Sequence, residues 1–447
     1  MVILTLNCGS SSVKYQVYDW DQKNVLANGI VERVTLGESV INHKAPGICE
    51  FVQEHECPTH TVAIELILNT ITHPKYGVVK DMAMIGAVGH RMVHGGMKFA
   101  RSVLITDESL ATFKELISLA PLHNPANIMG VEAARAVLPK VPHCAVMDTA
   151  WHQTMPESSF LYALPREWYE QQQIRRYGFH GTSFLYTAKR AAVLLGKDPF
   201  KTNLIIAHIG NGSSINAVKD GRSYDTSMGM TPLEGLVMGT RSGDVDPGIL
   251  FHMMNKGGLS AAELEKKLNK ESGVLGITAH WADRRDIENA AEQGNHAAKV
   301  AQAIESYRIK KYVGAYYAAL GRVDAIVFTA GVGEMGPITR ELALSGLEEL
   351  GIVIDLEKNA KAKCRNAELD ITGPGSKVKI FVIPTDEELV MTEDAYALMN
   401  GSYDVHTNYT YHFQSPDYVN KQRAAGLEND LKKKPWLADM IAHPPKK

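Results

Sequence analysis

The 447-residue sequence predicts an α/β fold made of two related halves with a cleft between them. The length is too great for a single ordinary hydrophobic core, so two domains are expected. Apolar segments typical of buried strands alternate along the chain with segments of helical spacing. A strand, a Gly/Ser turn and two further strands open the chain, and the same pattern returns at residue 203. These three observations favour a duplicated α/β protein.

The first half opens with apolar and polar residues alternating over residues 2–7, 12–19 and 25–34, which predicts three strands. Residues 37–60 are expected to form a loop-rich excursion, and a helix is expected over about 60–73. The remaining elements are a buried strand in "AMIGAVGHRMVHGG" that runs into a Gly/His turn, helices near 107–119 and after "HNPANI", and a strand in "HCAVMDTA".

The second half repeats the opening in "NLIIAHIGNGSSINAVKDGRSYDTS". Aligning residues 11–13 with residues 213–215 superimposes the two turns, and an internal duplication is the simplest interpretation. The alternative is that two similar hairpins arose independently. The later elements expected are helices near 260–270, 283–292 and 296–320, a strand in "DAIVFTAG", a Gly-rich turn, a helix at 337–350 and a strand in "KIFVIPT".

Domain boundaries are expected near residues 150 and 400. Residues 1–150 would form the first domain and residues 151–400 the second, with the last helix before residue 400 a candidate to pack back on the first. Residues 401–447 become polar and irregular, so we expect a surface extension whose lysine run is solvated.

Charge and cysteine content exclude several classes of protein. A net charge of −3 gives no electrostatic case for binding nucleic acid or an acidic membrane surface. The five cysteines are odd in number and widely spaced without a CxxC pair, which favours a reduced compartment over disulfides or structural zinc. The chain opens on a strand rather than a leader and has no long apolar run, so we expect a cytoplasmic protein without a membrane span.

Three Gly-rich turns follow apolar strands: "NCGSSS", "HIGNGSS" and "FTAGVGEMG". Glycine lets backbone N–H groups approach and converge on phosphate oxygens. None of the turns matches the P-loop pattern or a dinucleotide fingerprint, and each alone could be an ordinary tight turn. Three such turns at strand ends, with Lys14 just beyond the first, favour a phosphate-bearing ligand.

Two arginines and one aspartate lie in positions typical of a ligand site. Arg91 and Arg241 occur in Gly-rich turns, where the guanidinium fork suits carboxylate or phosphate, although surface arginines are common. Asp148 ends an apolar strand, the place where α/β sheets carry functional groups, and a capping role is the alternative.

One histidine and two glutamates complete the candidate side chains. His180 in "RRYGFHGTS" is either a ligand-contacting or a packed histidine. Glu387 and Glu388 follow the strand in "KIFVIPT", where they could hold Mg²⁺ or simply favour a helix N-terminus.

Taken together, these segments resemble the acetokinase family from residue 3 to about 398. The resemblance implies the fold of the sugar-kinase, actin and heat-shock-ATPase superfamily, with two ribonuclease-H-like domains that close on a nucleotide, and a homodimer. It also implies reversible, direct in-line transfer of the ATP γ-phosphoryl group to acetate, giving acetyl phosphate and ADP, with Mg²⁺ or Mn²⁺. The matching stretches are "NCGSSSVKY", "GHRMVHGG", "APLHNPANI", "MDTAWHQTM", "RRYGFHGTS", "HIGNGSS", "DTSMGMTPLEGLVMGTRSGDVDPG" and "IPTDEE".

The resemblance implies roles for individual residues, and it assigns nucleotide binding mainly to the second domain. Metal-associated residues would be Asn7 and Glu387, and catalytic residues would be Asp148, His180 and Arg241. The acetate site would comprise Arg91, Val93, Leu122, Phe179 and Pro232. The ATP site would comprise Ser10, Ser12, Lys14, His208, Ile209, Gly210, Asn211, Gly212, Asp283, Arg284, Arg285, Gly331, Val332, Gly333, Glu334 and Met335.

The sequence departs from the family pattern at three positions. Met335 and Asp386 replace asparagines, which puts nucleotide contacts and metal geometry in doubt, and Phe184 stands where a histidine often ends the "FHGTSH" motif. A propionate kinase or a pyrophosphate-dependent acyl kinase is therefore the alternative within this class. A non-kinase actin-like ATPase is the alternative outside it.

Overall fold

The computed structural model describes residues 1–121 and 123–445, and it divides into two compact units. The first unit comprises Met1–Gln153, Asp386–His412 and Tyr418–Gln422. The second comprises Thr154–Thr385, Phe413–Asp417 and the chain from Arg423 onward. The boundaries at residues 150 and 400 stay a prediction about domains, but the helix before residue 400 groups with the first unit.

The first unit is built on an eight-stranded mixed sheet with the strand order β5-β4-β3-β2-β1-β6-β8-β7. β1 pairs antiparallel with β2 and parallel with β6, and β6 pairs parallel with β8. The strands are β1 Val2–Cys8, β2 Ser12–Asp19, β3 Asn24–Glu32, β4 Val40–Ala45, β5 Cys49–Glu54, β6 Ile85–Met92, β7 Val103–Leu104 and β8 His143–Met147.

In the described residues this unit has four α-helices, and three of them begin at a side-chain cap. The first begins after Thr59, whose side chain accepts a hydrogen bond from the backbone N–H of Val62. The last begins after Asp386, which caps the backbone N–H of Leu389 in the same way. This last helix contacts β1, β6 and β8, the strands whose ends carry the candidate site. The helices are His60–Ile71, Asp107–Glu115, Asn124–Val137 and Glu387–Met399.

The second unit contains a six-stranded mixed sheet with the order β11-β10-β9-β12-β14-β13. β9 pairs antiparallel with β10 and parallel with β12, and β12 pairs parallel with β14. The order β11-β10-β9-β12-β14 repeats the order β3-β2-β1-β6-β8 of the first sheet, which confirms the prediction of two related α/β halves. The strands are β9 Leu204–Ile209, β10 Ser213–Lys219, β11 Arg222–Thr226, β12 Ala325–Thr329, β13 Leu369–Asp370 and β14 Lys379–Val382.

Helices of the second unit include the segment Gly181–Leu195, whose residues are nearly all buried. The sequence did not predict this helix, because it begins at His180 rather than at a usual capping residue and because Lys189 and Arg190 are buried together with its apolar residues. The other helices are Glu157–Phe160, Arg166–Gln172, Gly248–Asn255, Ala261–Lys270, Gly273–Thr278, Arg284–Glu292, His296–Leu320, Ala330–Met335, Pro337–Leu344, Leu356–Lys361 and, across the junction of the two units, Lys421–Lys433.

The two repeated hairpins differ in loop length. Cys8 pairs with Val13, which leaves residues 9–12 as the loop, whereas Ile209 pairs with Ser213 and leaves residues 210–212. Aligning residues 11–13 with residues 213–215 therefore matches the second strand of each hairpin but not both strands at once.

Two sequence-based expectations about local structure are wrong. The segment 37–60 contains β4 and β5 rather than a loop-rich excursion, because Ile41, His43 and Ala45 alternate inward while the polar residues between them face outward. The Gly-rich segment "FTAGVGEMG" contains the short helix Ala330–Met335 rather than a turn.

The C-terminal segment is not the surface extension expected from its polarity. Tyr411 and Phe413 are buried, and the helix Lys421–Lys433 follows them. Leu437 and Met440 then enter the hydrophobic core of the second unit. The few apolar residues of this segment are spaced too irregularly to indicate burial from the sequence.

Leu437→Ala should lower the free energy of unfolding of the second unit by about 2–5 kcal/mol, because it leaves a cavity where a fully buried side chain had packed. The neighbouring Trp436 is 44% exposed, so Trp436→Ala serves as the matched control. Denaturant unfolding should show a clear shift for the first variant and little for the second. Equal shifts would mean that the C-terminal segment is not part of this core.

No helix of the described ranges is long and apolar enough to cross a membrane. The five cysteines are free thiols, and four of them are buried.

Candidate functional site

The first unit presents three candidate residues where parallel strands end. Asn7 lies near the end of β1, Arg91 lies near the end of β6, and Asp148 directly follows β8. The carboxyl ends of parallel strands meet at one edge of a sheet, and ligands of α/β proteins bind at that edge.

Arg91 and Asp148 form a two-point ion pair. The Arg91 Nε and Nη2 atoms donate to the two carboxylate oxygens of Asp148 at 2.9 and 2.6 Å. Asp148 is buried, whereas the Arg91 side chain remains partly exposed. Burial alone would lower the pKa of Arg91, but the Asp148 carboxylate outweighs it and raises that pKa above its ordinary value. The guanidinium is therefore permanently charged and held in one orientation.

A cluster of acidic residues begins the helix Glu387–Met399. Burial, together with the neighbouring charges of Glu387 and Asp386, raises the pKa of Glu388 to about 7. Mg²⁺ takes oxygen ligands, commonly one or two carboxylates plus substrate phosphates. The excess negative charge here suits such an ion, and no group of three or more His, Cys, Asp or Glu in the described ranges could hold a metal on its own.

The first hairpin carries three of the expected nucleotide residues. Lys14 pairs with Asn7 across the β1–β2 ladder, and both side chains therefore project from the same face of the sheet. Ser10 is exposed at the tip, and a hydrogen bond from Gly9 N to Ser12 O closes the loop at 2.8 Å.

Two further residues expected to bind acetate belong to the first part of the chain. The backbone N–H of Val93 donates to Asn127 Oδ1 at 3.0 Å, and Leu122 lies outside the described residues.

His180 is held in an unusual backbone conformation at the start of the helix Gly181–Leu195. Its φ of 58° lies in the left-handed region, which non-glycine residues adopt mainly where the surroundings enforce it. The Nδ1 atom contacts Ser214 Oγ at 2.8 Å, and the ring stacks on His208 with centroids 4.0 Å apart. His208 in turn contacts Ser183 Oγ at 2.9 Å. These contacts fix the orientation of the His180 ring.

Arg241 differs from Arg91 because it forms no ion pair with any carboxylate of the described ranges. Its Nη1 atom donates to the backbone oxygen of Pro232 at 3.1 Å, and burial lowers its pKa. A β-carbon added at Gly212 would lie 3.4 Å from Arg241 Nη1 and 3.7 Å from His180 Nε2. Arg241 and His180 thus flank one glycine of the "HIGNG" turn, and a half-buried cation there favours an anionic ligand.

A cavity of about 630 Å³ in the second unit brings together most of the nucleotide residues expected in that unit. Its lining includes four residues that the sequence did not indicate: Ala282, Glu288, Gly336 and Arg365. Glu288 lies one turn along the helix Arg284–Glu292, so helical spacing from Arg284 was the only available signal. The expected residues in the lining are Gly210, Asn211, Asp283, Arg284, Arg285, Gly331, Val332 and Met335.

The other expected nucleotide residues of this unit lie outside the lining. Ile209 is fully buried in the hydrophobic core, and the buried Glu334 accepts a hydrogen bond from Thr385 N at 3.3 Å. Gly333 accepts through its backbone oxygen from Arg340 at 2.8 Å. Among the lining residues, both Arg284 and Arg285 are in ion pairs, the buried Arg284 with Glu305 and the exposed Arg285 with Asp283.

Gly239→Ala should weaken nucleotide binding, because the added β-carbon would overlap the side-chain oxygen of Asn211 and lie 3.1 Å from Arg284 Nη1. We expect the KM for the nucleotide to rise by about tenfold, as for the loss of one good polar contact, with the KM for the acid unchanged. Gly314→Ala is the control, because nothing lies within 4 Å of that added carbon. An unchanged nucleotide KM in Gly239→Ala would show that Asn211 does not contact the nucleotide.

The profile of the acetokinase family matches residues 2–393 of the chain. A curated relative from Treponema pallidum (strain Nichols), named acetate kinase, is 60% identical over 442 residues and aligns over 99% of both chains.

Two solved structures resemble the chain closely. The crystal structure of Porphyromonas gingivalis acetate kinase has a TM-score of 0.85 at 49% identity and covers 89% of this chain and 99% of its own. A propionate kinase from Francisella tularensis subsp. tularensis SCHU S4 has a TM-score of 0.82 at 42% identity, with coverage of 89% and 99%. Since the family match spans most of the sequence, the chain belongs to the acetokinase family.

Proposed function

We propose that the chain is an enzyme that transfers the γ-phosphoryl group of ATP reversibly to acetate, giving acetyl phosphate and ADP. The observation that carries this proposal is Arg241, a half-buried guanidinium without a carboxylate partner in the described ranges, beside His180 and the "HIGNG" turn. An anionic acceptor and a phosphoryl donor would supply the missing charge. The names of the relatives agree with this substrate pair.

Attack by acetate on the phosphoryl group requires little acid–base assistance from the protein. A carboxylic acid has a pKa of about 4, so acetate is already ionised at neutral pH and needs no general base. We infer that Asp148 therefore orients Arg91 rather than removing a proton, in keeping with its two hydrogen bonds to that guanidinium. Arg91 would bind the acetate carboxylate in an orientation set by Asp148.

Phosphoryl transfer requires alignment and neutralisation of the charge on the equatorial oxygens. Arg241 would bind these oxygens through its guanidinium, and His180 would donate a hydrogen bond from Nε2, because Nδ1 contacts Ser214. The left-handed backbone of His180 and its stacking on His208 fix that ring before the substrate binds. Direct in-line transfer needs no covalent enzyme intermediate.

Asn7 and Glu387 would hold Mg²⁺, with Asp148 as a further oxygen donor. Bound there, Mg²⁺ or Mn²⁺ would neutralise the nucleotide phosphates. Asn7 and Glu387 would fix the position of the phosphates on the sheet edge, and Lys14 would add a cation from the neighbouring strand.

Acid specificity would come from the volume of the apolar part of the expected acetate site, to which the branched side chain of Val93 contributes. One methylene changes binding in an apolar pocket by only about 1–3 kcal/mol, so propionate should be a slower substrate rather than an excluded one. Propionate kinase activity is the second candidate, and the likeness to the Francisella propionate kinase favours it over other acids.

Hydroxamate detection of acyl phosphate tests the proposed function. Purified enzyme should be supplied with ATP, GTP or pyrophosphate against acetate, propionate or no acid. We expect the most product from ATP with acetate, and no comparable ADP release without acid. Product from pyrophosphate alone would overturn the donor assignment, and acid-independent ATP hydrolysis would indicate a non-kinase ATPase.

We propose a homodimer, supported by the helix Gly248–Asn255, none of whose residues is buried. It exposes Ile249, Phe251 and Met254, of which Phe251 and Met254, three residues apart, lie on one face that a second copy would cover. Phe251→Glu should therefore shift the protein from dimer to monomer in analytical ultracentrifugation. Leu356→Glu, at a position 54% exposed on another helix of this unit, should leave the dimer intact. Equal behaviour of the two variants would contradict this interface.

We also propose a cytoplasmic location, where the five thiols would stay reduced.

A further inference from the structure

The chain continues well beyond residue 393, where the family match ends. In this C-terminal segment, the stretch around residues 420–423 contacts the connection that leads from β14 to the helix Glu387–Met399. That connection, residues 383–386, has no regular secondary structure and ends immediately before Glu387. Ile383 N donates to Phe328 O at 3.0 Å, and the following three residues are bound by side chains.

Within the first unit, Asn420 binds the residue that caps this helix. The Asn420 Nδ2 atom donates to Asp386 Oδ2 at 2.9 Å, while Asp386 Oδ1 accepts from Leu389 N at 3.1 Å. The next residue, Lys421, donates to the backbone oxygen of Gln22 at 2.6 Å. The C-terminal stretch is thus attached to the β2–β3 connection and to the first turn that carries Glu387.

Within the second unit, Arg423 binds Pro384 and Thr385, the two residues before Asp386. Its guanidinium donates to the backbone oxygens of Pro384, at 2.8 Å, and Thr385. The backbone N–H of Thr385 donates in turn to the buried Glu334 at 3.3 Å. Glu334 belongs to the short helix Ala330–Met335, which contributes to the lining of the nucleotide cavity. One chain of hydrogen bonds therefore links Arg423, the connection and the nucleotide-binding helix.

We propose that Asn420 and Arg423 are positioning residues that hold the connection in the conformation that presents Glu387 to the metal. This inference rests on the proposed function, which assigns Glu387 to the metal. Burial of the C-terminal segment is carried by other residues, such as Leu437 and Met440. The bonds of Asn420 and Arg423 instead converge on three consecutive residues that precede Glu387. The C-terminal segment would thereby help to set the position of Glu387 in the metal site.

The test measures metal binding without turnover. Mn²⁺ binding to the enzyme with ADP is followed by electron paramagnetic resonance for wild type, Arg423→Met and the control Lys433→Met, at an exposed position of the same helix. We expect Arg423→Met to weaken Mn²⁺ binding by about tenfold, the loss of one or two charge-assisted hydrogen bonds. Lys433→Met should match wild type, and the KM for acetate should be unchanged in both. Arg423→Lys should recover part of the loss.

Asn420→Ala provides a second variant that leaves the guanidinium in place, with the exposed Asn429→Ala as its control. We expect it to weaken Mn²⁺ binding by about threefold, because it removes one charge-assisted hydrogen bond, to the Asp386 carboxylate, where Arg423→Met removes two. Wild-type Mn²⁺ affinity in both Asn420→Ala and Arg423→Met would overturn the proposal. So would equal losses in Mn²⁺ and acetate binding, which indicate a purely structural role. If Arg423→Met does not fold, the Mn²⁺ affinity of Asn420→Ala decides whether the proposal holds.

The two proposals can fail separately. A wild-type enzyme that makes no acetyl phosphate refutes the proposed function, while the Mn²⁺ affinities of the variants still decide this inference.

Discussion

Arg241→Ala should reduce the rate of acetyl phosphate formation by about 100–1000-fold, which corresponds to about 3–4 kcal/mol of transition-state stabilisation. Arg241 is half-buried, lies beside His180 across Gly212 and forms no carboxylate pair in the described ranges, so its charge is available to the transferring phosphoryl group. Because that charge acts chiefly in the transition state, kcat should fall more than the KM for ATP rises.

Two further variants make this result specific. Arg241→Lys keeps the charge but loses the planar fork, so it should recover only part of the rate. Arg166→Ala removes an exposed arginine from a helix of the same unit and should behave as wild type. Equal product from Arg241→Ala and wild type in the hydroxamate assay would remove Arg241 from the mechanism.

Asp148→Ala should lower both activity and stability. Removing the carboxylate leaves the partly exposed Arg91 guanidinium without this partner, and because breaking a fully buried pair costs about 3–5 kcal/mol, the loss here should be somewhat smaller. The side chain of Arg91, no longer held by two hydrogen bonds, would also lose its fixed orientation toward acetate. We therefore expect a raised KM for acetate, a kcat reduced by about 100-fold or more and a lower thermal unfolding midpoint.

A double-mutant cycle separates the two effects of Asp148. If Asp148 acts through Arg91, the double variant Arg91→Ala/Asp148→Ala should be no less active than Arg91→Ala alone. It should also be more stable than Asp148→Ala, because the partly buried Arg91 charge no longer lacks its carboxylate partner. Fully additive activity losses would show that Asp148 contacts the reacting groups independently of Arg91.

Elements with a clear period or cap could be predicted from the sequence. The helix His296–Leu320 begins after Asn295, which caps Ala298 N, and ends before Gly321, and both signals are visible in the sequence. The helix Gly181–Leu195 could not be predicted, because it begins at His180 without a usual capping residue and buries Lys189 and Arg190 together with its apolar residues. The strand Val40–Ala45 was missed because His43 is buried like an apolar residue.

The candidate site could be predicted only in part for a similar reason. Gly-rich turns located Arg91 and Arg241, and the end of an apolar strand located Asp148, each individually. Their different electrostatic states, one arginine paired and the other not, depend on tertiary contacts between residues far apart in sequence. The contacts of Asn420 and Arg423 with residues 384–386 were invisible for the same reason, because nothing in a polar C-terminal sequence indicates which backbone oxygens it binds.

A crystal structure with ADP, acetate, Mg²⁺ and a planar aluminium fluoride tests the central claim most directly, because the fluoride imitates the transferring phosphoryl group. Direct transfer stabilised by guanidinium groups predicts Arg241 and His180 within hydrogen-bonding distance of the fluoride plane, and acetate in line with the ADP leaving oxygen and bound by Arg91. Either guanidinium turned toward bulk solvent in that complex would contradict the account.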